Sequence, residues 1–209
     1  MCTLHIQLLE QKELKMKSDE DLRWNTGEKR RVFSSPILSV DLSHRTHGEK
    51  SGEFVTLALP DWVSVIPWMR RDDGVPVFLM ERQFRHGSET VTCEFPAGLT
   101  EEGESPEDAV KRELMEETGY EGDLKALASF NPNPAFMTNR QTFFLARNLK
   151  RTGEQRLDEN EEIELLFVPV EEVIEKMGKG EYSNGIMLSA LFAFMREAER
   201  DPDLRRTVK

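Results

Sequence analysis

The chain has 209 residues, a formal net charge of −11 and a mean hydropathy of −0.56. So acidic a balance argues against non-specific binding to nucleic acid or to an anionic membrane, since both carry charge of the same sign. An anionic substrate would need local positive charge from arginines or bound cations, and the 38% apolar content, with 12 Phe and 3 Trp, suffices for the core of one fairly large domain.

In chain order, residues 1–31 are densely charged and read as a helix followed by a loop. Glu10, Lys12, Glu13 and Lys15 stand where a signal peptide would need its apolar run. "VFSSPILSV", "EFVTLAL" and "DWVSVIPWMR" are rich in β-branched and aromatic residues and read as strands. The apolar region from Phe54 to Met69 is interrupted by Pro60, Asp61 and Pro67, so no membrane span is expected there. Asp72-Asp73-Gly74 reads as a hairpin turn, and "TVTCEF" as a strand ended by Pro96-Ala97-Gly98. An acid-rich loop and helix follow, then three further strands, "LKALASF", "QTFFLAR" and "IELLFVPV". "PVEEVIEKMGKG" reads as a short helix with a glycine stop. The apolar first half of the helix "IMLSALFAFMREAER" suits a core or a dimer interface, and the polar tail "DPDLRRTVK" is expected to fray. Many strands with few intervening helices point to an α/β fold with a mixed sheet. The expected division is an N-terminal β-rich extension over 1–54, a main domain over 55–200 and a polar tail over 201–209. Cys2 and Cys93 form neither a disulfide framework nor a zinc spacing, and the four histidines form no metal-ligand pattern. A reducing, cytoplasmic setting is therefore expected.

The acid-rich helix carries the chemistry. Ser105 can cap it, Pro106 suits its first position and Gly119 is its stop, which predicts a helix from Pro106 to Thr118. At about 100° per residue, Glu113, Glu116 and Glu117 fall on the same side as Ala109, Val110 and Leu114. A solvated acidic face would lie opposite that apolar stripe. Carboxylates turned inward must be protonated, paired with cations or bound to metal. Their i, i+3 and i+4 spacing brings them together, and an all-oxygen set suits Mg²⁺ or Mn²⁺. Arg112 borders the group and can orient a glutamate through a bidentate pair. An ordinary ion-pair network on an amphipathic helix is the competing reading.

Taken together, Gly98, Glu104, Arg112, Glu113, Leu114, Glu116, Glu117, Gly119 and Tyr120 fill every fixed position of a signature that resembles that of the Nudix hydrolases. Tyr120 stands where an aliphatic residue is more usual. Arg82-Gln83-Phe84-Arg85, Glu94-Phe95-Pro96-Ala97-Gly98, Pro134 fifteen residues after Gly119, and the acidic run from Leu157 are similar to the ADP-ribose pyrophosphatase branch. The likeness spans roughly residues 55–195. It implies an α/β/α sandwich around a mixed sheet and hydrolysis of a nucleoside diphosphate linked to another group, with ADP-ribose giving AMP and ribose 5-phosphate. It implies Glu113, Glu117 and the Ala97 carbonyl as ligands of Mg²⁺ or Mn²⁺, and Glu116 as a ligand or close support. Glu161, with Glu159 as the alternative, would be a further ligand or the general base. Arg112 would orient the cluster, and Arg82, Arg85, Glu94 and Pro134 would meet the substrate. Salt bridging on a strand end is the plainer role for either arginine. Trp62 and Phe136 could stack on a base, but core packing is the expected fate of each. The resemblance also implies a homodimer that exchanges N-terminal strands. Another nucleotide sugar, a dinucleotide, or a nucleotide-binding module without catalysis are the alternatives.

Overall fold

The computed structural model describes residues 16–208, so the expectations for residues 1–15 lie outside the described residues. A short helix α1 (Asp19–Leu22) leads into a three-stranded antiparallel sheet of β1 (Asn25–Ser34), β2 (Ser39–His47) and β3 (Lys50–Ala58). The stretch expected to be a loop up to residue 31 is therefore mostly strand. β1 is exposed along its whole length, so no apolar alternation marks it in the sequence. It is held by its backbone ladder to β2 and by Lys29 and Arg31, which both pair with the buried Asp41. "VFSSPILSV" is divided by a turn in which the Ser35 N–H donates to the Leu38 carbonyl. Pro36 inside that turn has no N–H to give a ladder.

The main sheet contains β4 (Trp62–Arg70), β5 (Pro76–Arg85), β6 (Thr90–Glu94), β7 (Ala97–Leu99), β8 (Tyr120–Phe130), β9 (Gln141–Arg151) and β10 (Glu164–Pro169). Its order is β10-β5-β4-β9-β8, with β6 on β5 and β7 on β4. β4 and β9 run parallel and the other pairs antiparallel, which makes the sheet mixed. The β4–β5 hairpin turns at Gly74, whose φ of 84° suits a residue without a Cβ.

Strand side chains alternate between faces, and the alternation separates two cores. Val63, Val65, Phe144 and Ala146 meet Ala109, Val110 and Leu114 of α2 (Pro106–Thr118). Ile66, Trp68, Phe78, Met80, Phe143 and Leu145 face the other way. There they meet Val170 and Val173 of α3 (Val170–Lys176) and Met187, Ala190, Leu191 and Phe194 of α4 (Gly185–Ala198). Helices on both faces of a mixed sheet make an α/β/α sandwich. Cys93 and Phe95 lie in the second core, where burial pushes the Cys93 thiol up to about 11. Each fully buried large side chain, such as Phe194, contributes roughly 1.5–3 kcal/mol.

The tail expected to fray is instead docked. Asp201 caps a last turn, α5 (Pro202–Arg205), and Leu204 is fully buried in the second core. Arg147 donates to Asp201 at 2.7 Å and to Asp203 at 2.8 Å, and its guanidinium lies over Trp68. One leucine and a cap that meets a distant arginine are enough to order a segment whose composition is polar.

Candidate active site

The helix α2 begins and ends where its caps predict. The Ser105 Oγ accepts from the Asp108 N–H, and Gly119 closes the C-terminus in the left-handed region at φ 72°. A Cβ on Gly119 would lie 2.6 Å from the Gly153 carbonyl oxygen. The segment after β9 packs on this helix end. The Thr152 and Gly153 N–H groups donate to Gly119, Arg156 N–H donates to the Glu116 carbonyl, and the Gln155 side chain donates to the Glu117 carbonyl. The free carbonyls at the end of α2 thus anchor the start of the acidic loop.

Arg112 is the hub of the acidic face. It forms a bidentate pair with Glu104 (3.0 Å for both bonds), donates to Glu113 at 2.8 Å and to Glu116 at 3.2 Å, and reaches the Leu99 carbonyl at 2.9 Å. The guanidinium holds the Glu104 carboxyl below its usual range. Glu113 is half enclosed. Burial pushes its carboxyl up, and Arg112 opposes that shift. Glu113 also lies so close to the strand β7 that a Cβ on Gly98 would fall 1.9 Å from its Oε1. Gly98 is the residue that lets the helix carboxylate reach the backbone beside Ala97.

Glu117 points inward and is buried. Its Oε2 accepts from the Ala97 N–H at 3.0 Å. Burial first, and then the charges of Glu81 and Glu113, push its carboxyl well up. Glu81 on β5 is fully buried, within hydrogen-bonding reach of Glu117, and neither of its oxygens finds a donor. Burial pushes the Glu81 carboxyl up to about 8. A buried carboxylate without a donor beside a second buried one, a backbone carbonyl alongside and a glycine that clears the approach fit a hard divalent cation. Among the described residues, no three acidic, His or Cys side chains are gathered tightly enough to form a cage by themselves. That agrees with Mg²⁺ chemistry, in which one or two carboxylates commonly share the ion with waters and substrate phosphates.

Beside this cluster opens a cavity of about 590 Å³ lined by Trp62, Arg85, Glu94, Ala97, Gly98 and Asn184 among others. Glu94 is buried and accepts two bonds from Arg85, at 2.7 and 3.2 Å, and one from Thr92 at 2.6 Å. Burial pushes the Glu94 carboxyl up, but Arg85 outweighs it and leaves it below its usual range. A buried anion with its cation at the cavity wall can orient a polar ligand.

Residues 59–188 match the NUDIX domain. The chain belongs to the Nudix family. It is 39% identical over 163 residues to the ADP-ribose pyrophosphatase of Bacillus subtilis, covering 77% of this chain and 84% of that protein. It is 32% identical to the methanol dehydrogenase activator of Bacillus methanolicus, covering 80% of this chain and 90% of that one. A crystal structure of an ADP compounds hydrolase superposes with a TM-score of 0.74, at 21% identity, over 85% of this chain and 95% of the other. That likeness is one of fold.

Not every residue expected at the site of this Nudix hydrolase is brought to it. Arg82 and Arg85 lie on opposite faces of β5, because their separation is odd. Arg82 pairs instead with Glu164 and Glu181, at 3.3 and 3.0 Å. Pro134 is exposed in a turn whose neighbours Phe136 and Thr138 bond to Leu57 of β3, and it does not line the cavity. Phe136 is exposed rather than packed in the core, and Trp62 lines the cavity. Glu161 is exposed but near enough for its charge to act on both Glu113 and Glu117, while its Oε2 accepts from the Asp158 N–H. Glu159 is exposed on the same loop.

Glu81 and Asn184 were missed in the sequence. Glu81 had a signal, a lone acid directly after the apolar run "VFLM" of β5. Asn184 caps α4 and lines the cavity beside Glu94, and only the fold brings those positions together.

Proposed function

We propose that this Nudix hydrolase cleaves the pyrophosphate bond of ADP-ribose to give AMP and ribose 5-phosphate, with Mg²⁺ as its cofactor and Mn²⁺ as a substitute. The observation that carries the reading is the inward-facing Glu113–Glu117 pair, braced by Arg112, at the edge of the cavity that holds the Arg85–Glu94 pair. The similarity to a protein named ADP-ribose pyrophosphatase supports the choice of substrate.

In this reading the Ala97 carbonyl, Glu113 and Glu117 would hold the cation, with Glu116 and Glu161 at its margin. Such an ion would supply the positive charge that offsets the diphosphate and lowers the pKa of a water molecule. Arg85 faces the diphosphate, and Glu94 and Asn184 orient the polar groups of the nucleoside or ribose. Glu161 accepts the proton of the attacking water, with Glu159 on the same loop as the alternative. The water oxygen bonds to one phosphorus as the bridging P–O bond breaks, and Arg112 keeps Glu113 and Glu116 from turning away.

The test is release of nucleoside monophosphate from ADP-ribose, GDP-mannose and a dinucleoside diphosphate. ADP-ribose is expected to give the highest kcat/KM, EDTA to abolish release, and Mg²⁺ to restore it. A preference for GDP-mannose would favour the second reading, supported by the 32% identity over 133 residues to the GDP-mannose pyrophosphatase of Pectobacterium atrosepticum. Tight nucleotide binding without release would instead mark a binding module.

We further propose a homodimer in the cytoplasm. No helix among the described residues is long and apolar enough to cross a membrane. Leu188, Phe192 and Met195 form an exposed apolar stripe on α4, and Phe33, Phe54 and Val55 are exposed on the N-terminal sheet. Such patches usually become interfaces. Light scattering is expected to give twice the 24.1 kDa chain mass. Phe192→Glu is expected to shift that mass toward the monomer without loss of helix content, and an unchanged mass would remove α4 from the interface.

A further inference from the structure

The main sheet carries a fully buried acid that the signature does not contain, Glu81 on β5. Glu81 is fully buried, and neither carboxylate oxygen has a hydrogen-bond partner. An orphaned buried carboxylate is costly, so its surroundings decide what it is for. The β5–β6 ladder sets Glu81 opposite Glu94, so both point to the α2 side of the sheet. There Glu81 meets Glu117, which also lies inside. Arg85 is the nearest cation, but its guanidinium is engaged by Glu94. The Ala97 N–H already serves Glu117. The one protein group left that could donate to Glu81 is the carboxyl of Glu117 itself, and only when it is protonated.

We propose that Glu81 is an additional ligand of a divalent cation, held jointly with Glu117 on the sheet side of α2. The inference rests on the metal-dependent reading above and deepens it. The ion is a hard one of the Mg²⁺ or Mn²⁺ class, because every group offered is oxygen. Two carboxylates suffice, since such ions complete their shell with water and phosphate oxygen. Glu81 lies on a sheet strand while Glu113 and Glu117 lie on the helix. An ion bridging the two elements would tie α2 to β5 through Glu81, whose oxygens otherwise lack a hydrogen-bond donor.

The test counts Mn²⁺ bound to the full-length protein without nucleotide, by electron paramagnetic resonance and calorimetry, for wild type and Glu81→Gln. The expected result is one ion fewer per chain, or an affinity about 10–100-fold weaker, the scale seen when groups around a bound metal are altered. Melting without metal is expected to be no lower in E81Q than in wild type, while the rise in Tm on adding Mn²⁺ shrinks. An ion count and affinity equal to wild type would overturn the proposal and leave Glu81 as a buried neutral acid. Should E81Q fail to fold, Glu81→Leu, which removes the carboxylate and fills a similar volume in this buried position, carries the same readout. Wild-type binding by that variant would likewise overturn it. Absence of nucleotide hydrolysis by the wild-type protein would count against the proposed reaction instead, since the ion count does not depend on it.

Discussion

Glu117→Gln is expected to lower turnover about a thousandfold, roughly 4 kcal/mol of lost transition-state stabilisation, and to leave the protein folded. The size follows from where Glu117 sits. It is the most buried of the three helix acids, it is fixed by the Ala97 N–H, and it faces Glu81. An amide keeps the shape and can still accept from Ala97 through its oxygen. Its NH₂ can also donate to Glu81, so melting in the absence of metal should hold or rise. What it loses is the charge that a divalent ion requires. Circular dichroism, Tm without metal and kcat over a Mg²⁺ titration separate these effects. Wild-type kcat at saturating Mg²⁺ would remove Glu117 from the metal site.

Arg112→Ala is expected to lower kcat/KM by about 10–100-fold or more, the range for residues that orient metal ligands. Arg112 acts through other groups and is a positioning residue. It braces Glu104, Glu113 and Glu116 at once and ties them to the Leu99 carbonyl. Arg112→Lys keeps the charge but not the planar fork, so it is expected to recover only part of the loss. The distinguishing readout is the Mg²⁺ requirement. Loose carboxylates should raise the concentration needed for half-maximal rate, and excess Mg²⁺ should partly rescue R112K. A variant that lost activity with an unchanged Mg²⁺ requirement would point to a direct role on substrate.

The features legible in the sequence were those fixed by local rules. The helix from Pro106 to Thr118 was marked at both ends by Ser105 and Gly119, and of the three glutamates its period set on the apolar side the fold buries Glu117, half encloses Glu113 and leaves Glu116 more open. The Asp72-Asp73-Gly74 turn and the strands of the central sheet were likewise written in short stretches of text. β1 was not, because a strand exposed on all positions has no alternation to read. Nor was the docking of Leu204, which depends on Arg147 reaching across from β9 to Asp201 and Asp203.

By itself the sequence determined the family and the acid helix, since each rests on residue types at fixed spacing along the chain. Only the tertiary structure decided which side chains share the site. It turned Arg85 toward Glu94 and Arg82 away to Glu164 and Glu181, left Pro134 outside the cavity, and set Glu81 against Glu117. The reason is that a strand residue's face depends on register with its neighbours, and register is settled by pairing between segments far apart in the chain.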